Sequence, residues 1–172
     1  MPTPVGHALG GLAAAFAVDA AYRRQQLSPA LLVAAAAAAV APDLDLLAGS
    51  HRGGTHSIGA VLIVGVATLI VSQGRVSSAT RAAVLLMAAY ASHLGLDWLG
   101  TDTSVPPGLT IAWPFSSAYY VSGLNVFGEV SRRYWRWEEF VLGNLRALSW
   151  EVALLSPVLI LAWALWSRRT TR

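Results

Sequence analysis

The 172-residue chain has no cysteine, no lysine and few charges of either sign. Without cysteine there is no disulfide framework, no thiolate metal site and no cysteine nucleophile, and the redox compartment leaves no mark on the chain. Only 12% of the residues are charged, against roughly 25% in a soluble domain, while 55% are hydrophobic and the mean hydropathy is +0.54. That balance excludes an ordinary water-soluble globule, a disordered chain and a coiled coil. The formal net charge of +3 rests on arginine alone and is too small for a nucleic-acid footprint. Motifs are missing too: no HExxH, no Walker loop, no GxGxxG and no GxSxG occurs. The N-terminus also lacks the basic run that opens a signal peptide.

What is present is apolar length. Stretches at 5–22, 29–48, 56–72, 82–99 and 148–166 are each close to the roughly 20 residues that cross a bilayer core. They predict an all-α, polytopic transmembrane bundle of about five spans, a single integral-membrane domain over 1–172. Alternate connections then collect Arg23, Arg24, Arg75, Arg81, Arg168, Arg169 and Arg172 on one side, with Arg52 alone in the short segments of the other. The positive-inside rule puts the C-terminus in the cytoplasm and the N-terminus outside. Asp19 is four residues before Arg23, the spacing of a helical ion pair. The segment 101–147 is rich in Trp, Tyr and Pro and suits the headgroup layer, and its end, from 132 to 148, reads as an interfacial amphipathic helix leading into the last span.

Ionisable residues at membrane depth are costly unless paired, hydrated or metal-bound. On this map His7, Asp43, Asp45, His51, His56, His93 and Asp97 all fall toward the outer end of their spans. His93 and Asp97 are four apart and share a helical face. Imidazole with carboxylate suits zinc, and also manganese or iron. These seven are the candidate ligands of one or two divalent ions; an outward-facing polar rim is the plainer alternative. Arg52 is a candidate clamp for an anionic substrate and Asp45 a candidate catalytic group as well as a ligand. Glu151, on the same side, reads as a general base, a further ligand or an interfacial carboxylate. Thr55 or Ser57 is positioned to cap the third span, whose first amides then favour an anion.

These motifs, in order, are His7, Pro-Asp-x-Asp at 42–45, His-Arg-x-x-Thr-His-Ser at 51–57, His-x-x-x-Asp at 93–97 and Trp-Pro-Phe-Ser at 113–116. The set resembles the bacterial membrane-bound metal-dependent hydrolases, the YdjM-like inner-membrane proteins. A fainter similarity is to zinc-dependent phospholipase C, in which His7, Asp43, His56, His93 and Asp97 occupy corresponding positions; no His follows Asp97 to complete that pattern. The resemblance implies a metal-dependent hydrolase in the plasma membrane. A site at this depth, beside Trp98, Trp113 and Phe115, suggests an amphiphilic substrate, a phosphoester of a phospholipid or polyprenyl phosphate before an acyl ester or amide. A metal carrier or sensor, and a structural membrane protein whose histidines line an interface, are the rival readings.

Overall fold

The structure is a computed structural model that describes residues 1–21, 27–48, 52–76 and 78–170. Among the described residues there are five α-helices: α1 (Pro4–Asp19), α2 (Pro29–Val40), α3 (Ile58–Ser72), α4 (Ala79–Leu99) and α5 (Trp137–Thr170). Prolines open α1 and α2, where a missing N–H costs nothing, and Thr3, Ser28, Ser57 and Ser78 accept hydrogen bonds from the first free amides of the four helices they precede. A 3₁₀ segment, Ala41–Ala48, continues α2, and a 3₁₀ turn, Gly54–His56, precedes α3.

Three helical stretches are long and apolar enough to cross a membrane: Pro29–Leu47, Ala79–Leu99 and Trp137–Arg168. That is fewer than the five spans expected. α1 has 16 residues and α3 has 15, so at 1.5 Å per residue each reaches only about 22–24 Å of a roughly 30 Å core. The expected amphipathic helix and last span form one continuous helix, α5, which carries Pro157 inside it.

α1 and α4 are the middle of the bundle. α1 packs on α2, α4 and α5, and α4 packs on α1, α2 and α3. The seam is built from small residues, Ala13, Ala15, Ala35, Ala39 and Ala89, around the buried Leu85. Gly11 sits against α2 so closely that a Cβ there would lie 2.3 Å from the Ala39 Cβ. Packing of small residues replaces the hydrophobic drive that lipid cannot supply. At one end Asp19 receives Arg81 through Nε at 2.6 Å and Nη2 at 2.7 Å, and Trp166 Nε1 at 2.8 Å. The anticipated partner, Arg23, lies outside the described residues, and the cation that Asp19 meets comes from α4 instead.

The segment between α4 and α5 contains no helix from 100 to 136 and folds over the opposite end of the bundle. It is pinned by Leu109 and Tyr120, which exchange backbone hydrogen bonds, and by the Trp113 carbonyl, which accepts from Gly59 N–H at 3.2 Å. A Cβ at Gly59 would stand 2.8 Å from that carbonyl oxygen, so glycine is needed for the approach.

Candidate metal centre

The Pro42 ring follows directly on α2, and the chain tightens from α to 3₁₀ as it passes through Asp43 and Asp45. α4 contributes His93 and Asp97 from one face near its end, and the turn before α3 contributes His56. His56, His93 and Asp97 are buried, and Asp43 is the partly open member, with its side chain 18% exposed. One donor atom from each of these four lies within 4.8 Å of every other.

The separations are those of a polyhedron around a small ion. His56 Nε2 is 3.1 Å from His93 Nε2, and Asp97 Oδ2 is 3.2 Å from His93 Nε2 and 3.5 Å from His56 Nε2. Asp43 Oδ1 is 3.7 Å from both imidazole nitrogens. Tetrahedral coordination with bonds of about 2.0–2.2 Å puts neighbouring donors roughly 3.3–3.6 Å apart.

Proton placement supports the same reading. His93 Nδ1 is 2.8 Å from the Ala39 carbonyl, which can only accept, so Nδ1 carries a proton and Nε2 is the nitrogen that faces the cluster. His56 Nδ1 faces Thr55 Oγ1 at 3.0 Å and the Asp45 carboxylate at 3.3 Å, and the Thr55 hydroxyl donates onward to Asp45 at 2.7 Å. Nε2 of His56 is likewise the nitrogen turned to the cluster. The two Nε2 atoms, 3.1 Å apart, share either a proton or a cation. Two nearly enclosed carboxylates, Asp43 and Asp97, add a double negative charge that one shared proton would not balance and a divalent ion would. The donor set thus could hold a divalent metal ion.

His7, from the first turns of α1, is wholly buried and stacks on His93, with ring centroids 3.7 Å apart. Asp45 stands behind the centre. It accepts from Thr55 and from Arg52 N–H at 3.1 Å and braces His56 from the far ring nitrogen. It is thus a support for a donor, where the sequence suggested a ligand or a catalytic group. Glu151 is buried against the start of α1 and accepts from Thr3 N–H at 2.9 Å and Thr3 Oγ1 at 2.5 Å, favourably placed at a helix N-terminus. It stands outside the four-residue group. His51 lies outside the described residues.

Arg52 takes a left-handed backbone, φ 69°, ion-pairs with Asp102 through Nη1 and donates a hydrogen bond from Nη1 to Ser104 Oγ. Its guanidinium is committed to the cap segment before any substrate arrives. Ser57, not Thr55, caps α3, and the Ile58, Gly59 and Ala60 amides go to Ile111 O, Trp113 O and Ser57 Oγ, so that helix end offers no anion site.

A cavity of about 870 Å³ adjoins the centre, and Asp43 is the one residue of the four-donor group that lines it. Val40, Leu44, Leu46, Leu47 and Phe140 form apolar wall, and Arg52, Arg132 and Arg133 with Glu129 and Glu139 form a rim of both charge signs. Trp98, Trp113 and Phe115, expected beside the site, do not line it; Phe115 is 95% exposed and Trp113 covers Gly54 and Gly59. Composition could have flagged the Arg132-Arg133 pair, but no spacing rule links it to residues near position 43.

No curated protein and no solved structure matches the chain. The model of one family, described as YdjM inner membrane protein, matches residues 1–171, almost the whole length. That match carries the first of the two resemblances read from the motifs; the fainter one, to phospholipase C, is not carried by it. An all-helical bundle with membrane-length helices, holding His and Asp side chains in one buried cluster and matched from end to end, belongs to the YdjM inner membrane protein family.

Proposed function

We propose that the chain is a metal-dependent hydrolase of the membrane, using one or more divalent ions, zinc first, to cleave an amphiphilic phosphoester such as a phospholipid or polyprenyl phosphate. The observation that carries the reading is the enclosed cluster of four donors, with the two Nε2 atoms 3.1 Å apart beside Asp43 and Asp97. When bound, such an ion supplies Lewis acidity and a water acidified toward neutral pH.

The chain's own residues supply the rest. His56, His93 and Asp97 form the buried side of the seat, and Asp43 is its side toward the cavity. Arg132 and Arg133 line the cavity together with Glu129 and Glu139 and would be the groups to receive a phosphate. Leu44, Leu46, Leu47 and Phe140 accept an acyl or prenyl chain. The bundle carries this end outward and the Asp19–Arg81 end toward the cytoplasm, as the arginine bias requires.

Carriage of metal across the bilayer, the rival reading, needs polar positions along the way. Between the centre and Asp19 the described core is Ala13, Ala15, Ala35, Leu85 and Ala89, which favours hydrolysis. The test is release of phosphate or phospho-headgroup from phospholipid and polyprenyl phosphate substrates by purified protein in nanodiscs. Activity should vanish with a chelator, return with zinc, and fall at least ~100-fold in His93→Ala. Full turnover by metal-free protein would overturn the proposal.

A further inference from the structure

Each of the two central carboxylates faces two ways. Asp97 turns Oδ2 toward His56 and His93, and turns Oδ1 toward His7 Nε2 at 3.3 Å. Asp43 divides likewise, with Oδ1 toward His56 and His93 and Oδ2 3.9 Å from His7 Nε2. Yet neither nitrogen of His7 and neither oxygen of Asp97 makes a hydrogen bond, although all four atoms are buried. Two of the four, His7 Nε2 and Asp97 Oδ1, face each other 3.3 Å apart, and one ligand between them would satisfy both.

We infer that His7 Nε2, Asp97 Oδ1 and Asp43 Oδ2 form a second cation seat beside the first, so that both carboxylates bridge a pair of ions. The inference rests on the metal reading above and extends it from one ion to two. Three protein donors leave the second ion with coordination positions for water or substrate. The charge balance then selects the substrate. Two divalent ions against two carboxylates leave a surplus of two positive charges beside the cavity. A phosphate monoester dianion neutralises that surplus and a phosphodiester half of it, whereas a neutral acyl ester or amide neutralises none, and ions roughly 3.5–4 Å apart are suited to clamping both the attacking and leaving oxygens of a phosphoester.

The experiment loads purified full-length protein with Mn2+ in detergent and measures ions per chain together with the electron paramagnetic resonance spectrum. The expected result is two ions per chain and an exchange-coupled signal in the wild type. His7→Gln should bind one ion and give the six-line signal of an isolated Mn2+. The wild-type measurement needs no variant, so a misfolded His7→Gln would not rescue or sink the proposal. One ion per chain, abolished by His93→Ala, would overturn the second seat and leave the hydrolase proposal standing. Two uncoupled ions would also overturn the bridged pair. No bound ion at all would overturn both.

Discussion

Asp43 and Asp45 are two residues apart, yet they meet different partners. A 3₁₀ helix turns about 120° per residue, so positions i and i+2 point roughly 240° apart. Asp43 therefore turns to the His56–His93 pair, and Asp45 comes round behind His56. Replacing Asp45 with Asn should weaken zinc binding by about 10–100-fold through His56, while saturating stoichiometry is preserved. Competition against a calibrated chelator reads this directly, and loss of an ion at saturation would make Asp45 a ligand after all. A second residue-scale effect belongs to Asp102. Burial alone would push its carboxyl up. The Gly108 N–H at 2.6 Å, the Ser104 N–H at 2.9 Å, the Ser104 hydroxyl and the Arg52 guanidinium outweigh burial and hold it below the usual carboxylate range. A depressed folded-state value means stability that is full above the ordinary carboxylate pKa of about 3.9 and is lost as pH falls through the lower folded value. Asp102→Asn should accordingly melt below wild type at pH 7, with the gap closing as pH drops under about 4. A gap independent of pH would show that the contribution is not ionic.

At the scale of elements, the helices were legible from hydropathy and their reach was not. Apolar runs locate α1 to α5, but run length alone does not say that α1 and α3 fall short of the bilayer core or that α2 crosses to 3₁₀ at Ala41. The donors were legible for a simple reason: His56, His93, Asp43 and Asp97 are side chains too polar for their surroundings. Their supports were less so. The Ala39 carbonyl is backbone and leaves no signature in sequence, and the roles of Asp45, Arg52 and Glu151 depend on which neighbour the fold brings up. Gly11 links this scale to the centre, because it fits against Ala39, whose carbonyl orients His93. Gly11→Val should cost about 1–3 kcal/mol by forcing α1 off α2. It should also loosen metal binding although it touches no donor. Thermal unfolding and zinc content measured together check this; unchanged values for both would mean that the helices adjust freely.

At the scale of the molecule, two polar clusters mark the two ends. The candidate metal centre gathers the 3₁₀ segment after α2, the turn before α3, and α4 with His7 of α1, and the Asp19–Arg81–Trp166 cluster ties α1, α4 and α5 at the other. On the orientation we propose, the second end faces the cytoplasm. A reporter fused after residue 172 should therefore be active only in the cytoplasm. An extracytoplasmic reporter signal would invert the molecule and place the proposed chemistry on the inner leaflet.

Of the five inward-facing donors, only His93 and Asp97 are near neighbours in the chain; His7, Asp43 and His56 are scattered across its first third. An unravelled chain would thus offer little grip to an ion bound at the proposed centre. Occupancy becomes folding energy, worth about 2.7 kcal/mol when free ion exceeds the dissociation constant a hundredfold. EDTA should behave toward this protein as a mild denaturant, lowering its melting temperature, and a cell starved of the cation would carry bundles that come apart sooner.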